Sequence, residues 1–347
     1  MRSFLAFLFI LFNFAALAGI QRIDSAILGE QPNAAIDTKG VVRIAFGKGK
    51  QIYCMTSTTN GNSFSKPVLV AELSGMHLGH TRGPQIASSK NYSIITAMDE
   101  TGDIHSYLLK HQSGGWKSAA EVNDIRGSAP EGLMALTADK EDNFYAVWLD
   151  LRLSKQNNIY LSKANGNGKW TKNKLVYQSP EGHVCECCKP NIAFNAGKLA
   201  ITFRNWLTGS RDIYYTWSVD KGETFSIPTK AGTGTWKLNG CPMDGGGLSI
   251  NDKGLVSTSW QRNGEVFFWG ENFLERRLSS GRDVNMSQDG GSPVVAWQAN
   301  GNIIVMNLDD NTTKDLGKGS SPKLYIIDRE RSLCIWEENK QVRYQIL

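Results

Sequence analysis

The chain has 347 residues, 38 Lys and Arg against 33 Asp and Glu, a net charge of +5, and 35 glycines. The basic residues are dispersed rather than clustered, which excludes the electrostatic footprint of a nucleic-acid-binding domain. Nothing resembles a linker or a low-complexity tract, so residues 19–347 read as one domain.

Residues 1–18 come first. Met1-Arg2-Ser3 precedes an apolar run over 4–18 that ends Ala16-Leu17-Ala18. One early positive charge, a short apolar segment and a small-x-small exit are the parts of a secretory signal peptide. The run is shorter than the roughly 20 apolar residues of a membrane span, and no second one follows. The expectation is a secreted or periplasmic protein with no membrane attachment after cleavage. A retained N-terminal anchor is the alternative.

Seven segments then share one pattern: a small or apolar strand, a tight turn, and a β-branched or aromatic strand. They cover 32–46, 84–99, 132–150, 190–205, 247–261, 284–298 and 322–337. Each reads as a hairpin around an Asp, Asn, Gly or Lys turn. Third strands follow at 51–57, 103–109, 158–163 and 212–218, and more polar fourth strands complete the units. Four antiparallel strands repeating every ~40–55 residues define an all-β propeller. Seven blades are expected, or six if the weak unit near 284–316 is something else. The last unit supplies three strands, and residues 20–28 can add the fourth and close the ring. Sustained helical periodicity is absent.

The turn Ser218-Val219-Asp220-Lys221-Gly222-Glu223-Thr224-Phe225 fits Ser-x-Asp-x-Gly-x-Thr-aromatic, the Asp-box of BNR repeats. Short polar side chains bond the turn's backbone there, glycine takes positive φ, and the aromatic seals the blade. Worn copies occur at 57–64 and from Ser162 to Trp170. On these motifs the chain resembles the sialidase-like, Asp-box propeller superfamily along nearly all of its length. That resemblance implies an exo-sialidase-like or other glycoside hydrolase, or a non-catalytic binding propeller. It also places the Asp-box on the face opposite the active site. Val42-Arg43-Ile44-Ala45 lacks the proline of the sialidase Arg-Ile-Pro element, and the arginine triad and Tyr/Glu pair cannot be matched residue by residue.

The opposite face collects the loops that enter each innermost strand, and loops on a rigid scaffold carry function. Arg82, Arg152, Arg204 and Arg262 lie on or beside these loops, where guanidinium forks suit an anionic ligand such as an acidic sugar. Glu131, Asp150 and Asp244 are the carboxylates placed for acid/base work in a glycosidase. The competing reading pairs these charges with one another at the blade ends.

Cys54 and Cys334 sit within apolar strands and read as small core residues. Cys185, Cys187, Cys188 and Cys241 lie on two neighbouring entry loops. In an exported chain they suggest two disulfides, with at least one bridge to Cys241. The alternatives are a free redox thiol or a copper or zinc site. Soft sulfur from Cys185, Cys187, Cys188, Cys241 and Met243 with His183 would form such a site, joined by His77 and His80. The partner expected is a glycan or small anion.

Overall fold

All seven hairpins form. In the computed structural model, which describes residues 28–153, 155–288 and 290–347, 27 strands and no helix occur among the described residues. They make six four-stranded sheets and one of three strands, each antiparallel and each ordered along the chain. The blades span 30–72, 85–118, 134–177, 191–230, 247–280, 282–318 and 320–346. This is a seven-bladed β-propeller. The six-blade alternative falls because 282–318 supplies a complete blade. The expected signal peptide, residues 1–18, lies outside the described residues.

The strands form where side chains alternate between two covered faces. A seam between two blades is filled from both sides. Ile44 and Phe46 of the first blade meet Leu333 and Ile335 of the seventh. Ile52 and Cys54 meet Ile86 and Ile95, and Met98 and Ile104 meet Trp148 and Tyr160. The other four seams are built alike. Cys54 and Cys334 are buried in two of these seams, at 3% and 0% exposure.

Polar latches join the innermost strands where they begin. Asn33 Nδ2 donates to the Pro84 carbonyl at 2.9 Å. Asn191 Nδ2 donates to Gly245 O at 3.0 Å, and Asn285 Oδ1 accepts from the Leu324 amide at 2.8 Å. Each side chain thereby satisfies a backbone group of the next blade. The ring closes at its ends: Leu28 pairs antiparallel with Gln341, and the Gly29 amide donates to Lys340 O at 2.7 Å. Residues 20–27 of the expected closing strand lie outside the described residues.

The 218–224 turn is held as its residue types imply. Ser218 Oγ accepts from the Gly222 amide at 2.8 Å, and Asp220 Oδ1 accepts from the Thr224 amide at 2.9 Å. Gly222 has φ +82°, a conformation that costs glycine little. The Ser218 hydroxyl also donates to Asp220 Oδ1, and this bond first, then those from Thr224, hold the Asp220 carboxyl below the usual carboxylate range.

Trp336 fills the seam between the last two blades at 1% exposure, and its Nε1 donates to Lys318 O at 3.1 Å. Trp336→Ala should cost about 3–5 kcal/mol of stability, measured by chemical denaturation. A loss under about 1 kcal/mol would mean that this seam does not hold the ring closed.

Candidate functional site

Strand alternation sorts the loops onto two faces. The loops entering each innermost strand share a face with those linking second and third strands, and the hairpin turns and 218–224 lie on the other. Between the faces runs a channel of about 420 Å³ lined by all seven innermost strands. Its wall carries amides and hydroxyls, among them Gln85, Thr137, Asn191, Asn285 and Gln288. Its charged lining residues among those described are Lys140, Lys189 and Lys323, with no Asp or Glu.

On the entry-loop side a small chamber of about 20 Å³ caps the channel, room for one water molecule. Thr81, Asp244 and Asp283 line it together with Lys189 and Lys323, the two lysines shared with the channel. His80 Nε2 lies 2.9 Å from the Met243 carbonyl and 3.2 Å from Asp283 Oδ1, dividing one proton between two acceptors. Asp244 Oδ1 accepts from the Gly246 amide at 2.9 Å. Three glycines let this acid enter. A Cβ at Gly245 would fall 2.0 Å from Lys189 O, at Gly246 2.3 Å from Ser259 O, and at Gly247 2.5 Å from the Met286 amide. Thr81, Met243 and Asp283 all adopt positive φ, at 59°, 53° and 56°.

The chamber separates its titrating groups. Burial raises the Asp244 pKa, which the Arg204 charge only partly offsets. Burial would also raise Asp283, but the His80 hydrogen bond and charge prevail and its pKa is lowered. His80 is raised in turn, chiefly by its bond to Asp283. Burial brings Lys189 down to about 7, with Lys323 repelling it further. Lys323 is lowered by the same burial, opposed by Asp283 and Asp244.

The cysteines adjoin this chamber, because Cys188 precedes Lys189 and Cys241 lies three residues before Asp244. Cys187 and Cys241 form a disulfide that ties the two entry loops together. Cys185 and Cys188 are unpaired and buried, with Sγ atoms 3.5 Å apart. Cys185 Sγ is also 3.6 Å from Cys187 Sγ and accepts from Arg211 Nη1 at 2.8 Å. The Cys185 pKa is lowered, first by its hydrogen-bonded contact with the Cys188 thiol and then by the Arg211 and Arg204 charges. Cys188 is raised by burial and by its contact with Cys185. The Cys185, Cys187 and Cys188 sulfurs lie within 4.8 Å of one another, the set that could hold a soft metal.

The other sequence-selected histidines and Met243 take up separate positions. His183 stacks on Trp206 at 5.7 Å. The Met243 side chain is exposed, and a Cβ at Gly132 would meet the His77 ring.

The selected charges are engaged one by one. Asp150 is fully buried, accepting from Ser128 Oγ and Trp148 Nε1, each at 2.8 Å, and from Arg152 Nε at 2.8 Å. Arg152 also donates to Asp124 and Asn173. Arg262 pairs with Glu275 and lies over the Phe267 ring. Arg82 Nε donates to the Glu131 carbonyl at 2.6 Å, and the Glu131 side chain accepts from Asn157 Nδ2 at 3.4 Å. Arg204, at 1% exposure, donates to the carbonyls of Asp244, Arg211 and Gln261. Only Asp244 among these lines the chamber. Asp283, Lys189 and Lys323 escaped the sequence reading. Their signal was positional: Lys323 follows Pro322 at the place where Asn33 and Asn191 follow Pro32 and Pro190.

No protein-family model and no curated protein sequence matches the chain. Solved structures do. An α-L-arabinofuranosidase of Fusarium graminearum, in complex with arabinobiose, is 10% identical with a TM-score of 0.53, covering 92% of this chain and 93% of its own. An α-L-arabinanase of Penicillium chrysogenum, also with arabinobiose, is 11% identical with a TM-score of 0.52, covering 94% and 96%. A sialidase of Streptococcus pneumoniae is 12% identical with a TM-score of 0.50, covering 94% and 70%. The chain shares their fold. The likeness is one of β-propeller fold, and at such identity it does not carry chemistry across.

Arg204→Ala would leave three carbonyls of the roof without their donor. Unpairing buried polar groups costs about 1–3 kcal/mol each, so a loss of at least ~3 kcal/mol is expected in denaturant unfolding. A near-neutral result would mean that Arg204 does not staple the fourth and fifth blades.

Proposed function

We propose that this propeller is exported and binds an acidic glycan in its channel, with the ligand's anionic group at Lys189 and Lys323. The observation that carries the reading is the composition of the channel wall: three lysines, no carboxylate among the described residues, and a lining of amides and hydroxyls, with Asp244 and Asp283 confined to the small chamber at its end. A cationic, low-dielectric recess concentrates anions, and amide and hydroxyl groups match a polyhydroxylated ligand. The volume suits a small ligand. The Asp-box turn belongs to the quiet opposite face in this reading. The apolar segment over 4–18 supports export to a periplasm or the cell exterior.

The pH dependence follows from Lys189. Its pKa near 7 makes it charged below neutrality and largely neutral above. Affinity for an anionic ligand should therefore fall as pH rises from 6 to 8, by roughly tenfold from this group alone. Calorimetric titration with sialyl- and oligogalacturonate probes, and a neutral arabino-oligosaccharide as control, checks this. Lys189→Met should weaken acidic-sugar binding about tenfold and flatten the pH profile. Equal affinity for neutral and acidic probes, or an unchanged profile in the variant, would refute the assignment.

Hydrolysis is the second reading, favoured by the opposite shifts of Asp244 and Asp283. An acid whose pKa is raised beside one whose pKa is lowered is the asymmetry by which glycosidases divide acid and base roles. A fluorogenic sialoside assay decides it. Turnover lost at least 100-fold in a folded Asp244→Asn would support the reading, and no turnover by the parent would leave a binding propeller.

A further inference from the structure

The four entry-loop cysteines have no part in the ligand site proposed above, yet they are not arranged as inert staples. One pair is bonded and reaches the surface: Cys187 is buried and Cys241 is exposed. The other pair is unbonded, buried and in contact, with Cys185 Sγ at van der Waals distance from both Cys188 Sγ and Cys187 Sγ. Arg211, on the third strand of the fourth blade, donates to Cys185. Its guanidinium stacks 4.3 Å over Trp206 and also pairs with Glu186 at 3.4 Å, which fixes the donor on the sulfur. Thiol–disulfide exchange requires a thiolate, a disulfide sulfur within reach, and a resolving thiol. All three are present within one loop.

We propose that this cluster is a thiol–disulfide exchange centre, with Cys185 the nucleophile, Cys187–Cys241 its disulfide and Cys188 the resolving thiol. The Cys185 thiolate, its proton already given to solvent, attacks Cys187 Sγ. A Cys185–Cys187 bond forms, the Cys187–Cys241 bond breaks, and Cys241 leaves as a thiolate that takes a proton from solvent. Cys188, losing its proton, then attacks Cys185 Sγ and releases Cys187, which is protonated in turn. Two thiols become a disulfide and one disulfide becomes two thiols, so electrons balance without an external oxidant or reductant. The exchange moves a reactive thiol from a buried position to exposed Cys241 and unties the loop that carries Asp244. Cys241 is then open to small-molecule or protein disulfides.

The readout is alkylation of Cys241 without any reductant. Native protein is held at pH 7.5 with iodoacetamide, quenched in acid and mapped by mass spectrometry. Cys241 should become labelled in the parent protein and stay unlabelled in Cys185→Ser, whose folding is verified by its melting curve. Arg211→Met should slow labelling at least tenfold and displace its rate profile to higher pH, an effect that a structural role for Arg211 would not produce. Cys188→Ser should still label Cys241, since the first step does not need the resolving thiol. Labelling that is absent in the parent, or equal in the parent and Cys185→Ser, would overturn the proposal. So would stoichiometric zinc or copper with four free thiols, or two fixed disulfides.

Discussion

The seams between blades are the constraint on which everything else in this molecule rests. Each sheet has two apolar faces, and both are covered by neighbouring sheets, as Ile44 and Phe46 are covered by Leu333 and Ile335. Burial at ~25 cal/mol per Å² of apolar surface drives the packing. No blade can collect it alone, so the ring must close. Asn33, Asn191 and Asn285 add direction by fixing where adjacent innermost strands begin.

That closure decides where chemistry can sit. Seven parallel strand starts converge on one axis, and the loops feeding them crowd the same face. Asp244 and Lys189 therefore meet from two loops far apart in sequence, with Lys323 and Asp283 arriving from the last two blades. The charges there are costly to bury, and their opposed shifts record the cost. Asp244 keeps its proton more tightly while Lys189 and Lys323 give theirs up more readily. An arriving anion would raise the lysine pKa values again, so ligand binding and protonation are coupled at this position.

The fold was legible in the sequence because strand alternation and turn chemistry are local. The seven hairpins needed only period-two patterning and their turn residues. The bridge between the two cysteine loops was also within reach, since Cys187 and Cys188 adjoin and Cys241 stood alone. The roof was not legible. A guanidinium such as Arg204 looks the same in sequence whether it faces a ligand or three carbonyls, and only tertiary packing distinguishes them. Asp150 and Arg152 had drawn attention as separate functional charges, yet they satisfy each other. Lys323 was hidden inside an apolar strand, and strand register brings it to the channel beside Lys189.

The central claim is that the lysine-bearing end of the channel receives the acidic group of a sugar. A crystal structure with a sialyl- or galacturonate oligosaccharide bound tests it most directly. The account predicts the ligand's carboxylate within hydrogen-bond distance of Lys189 Nζ or Lys323 Nζ. Ligand bound elsewhere on the propeller, with the channel holding only solvent, would contradict it.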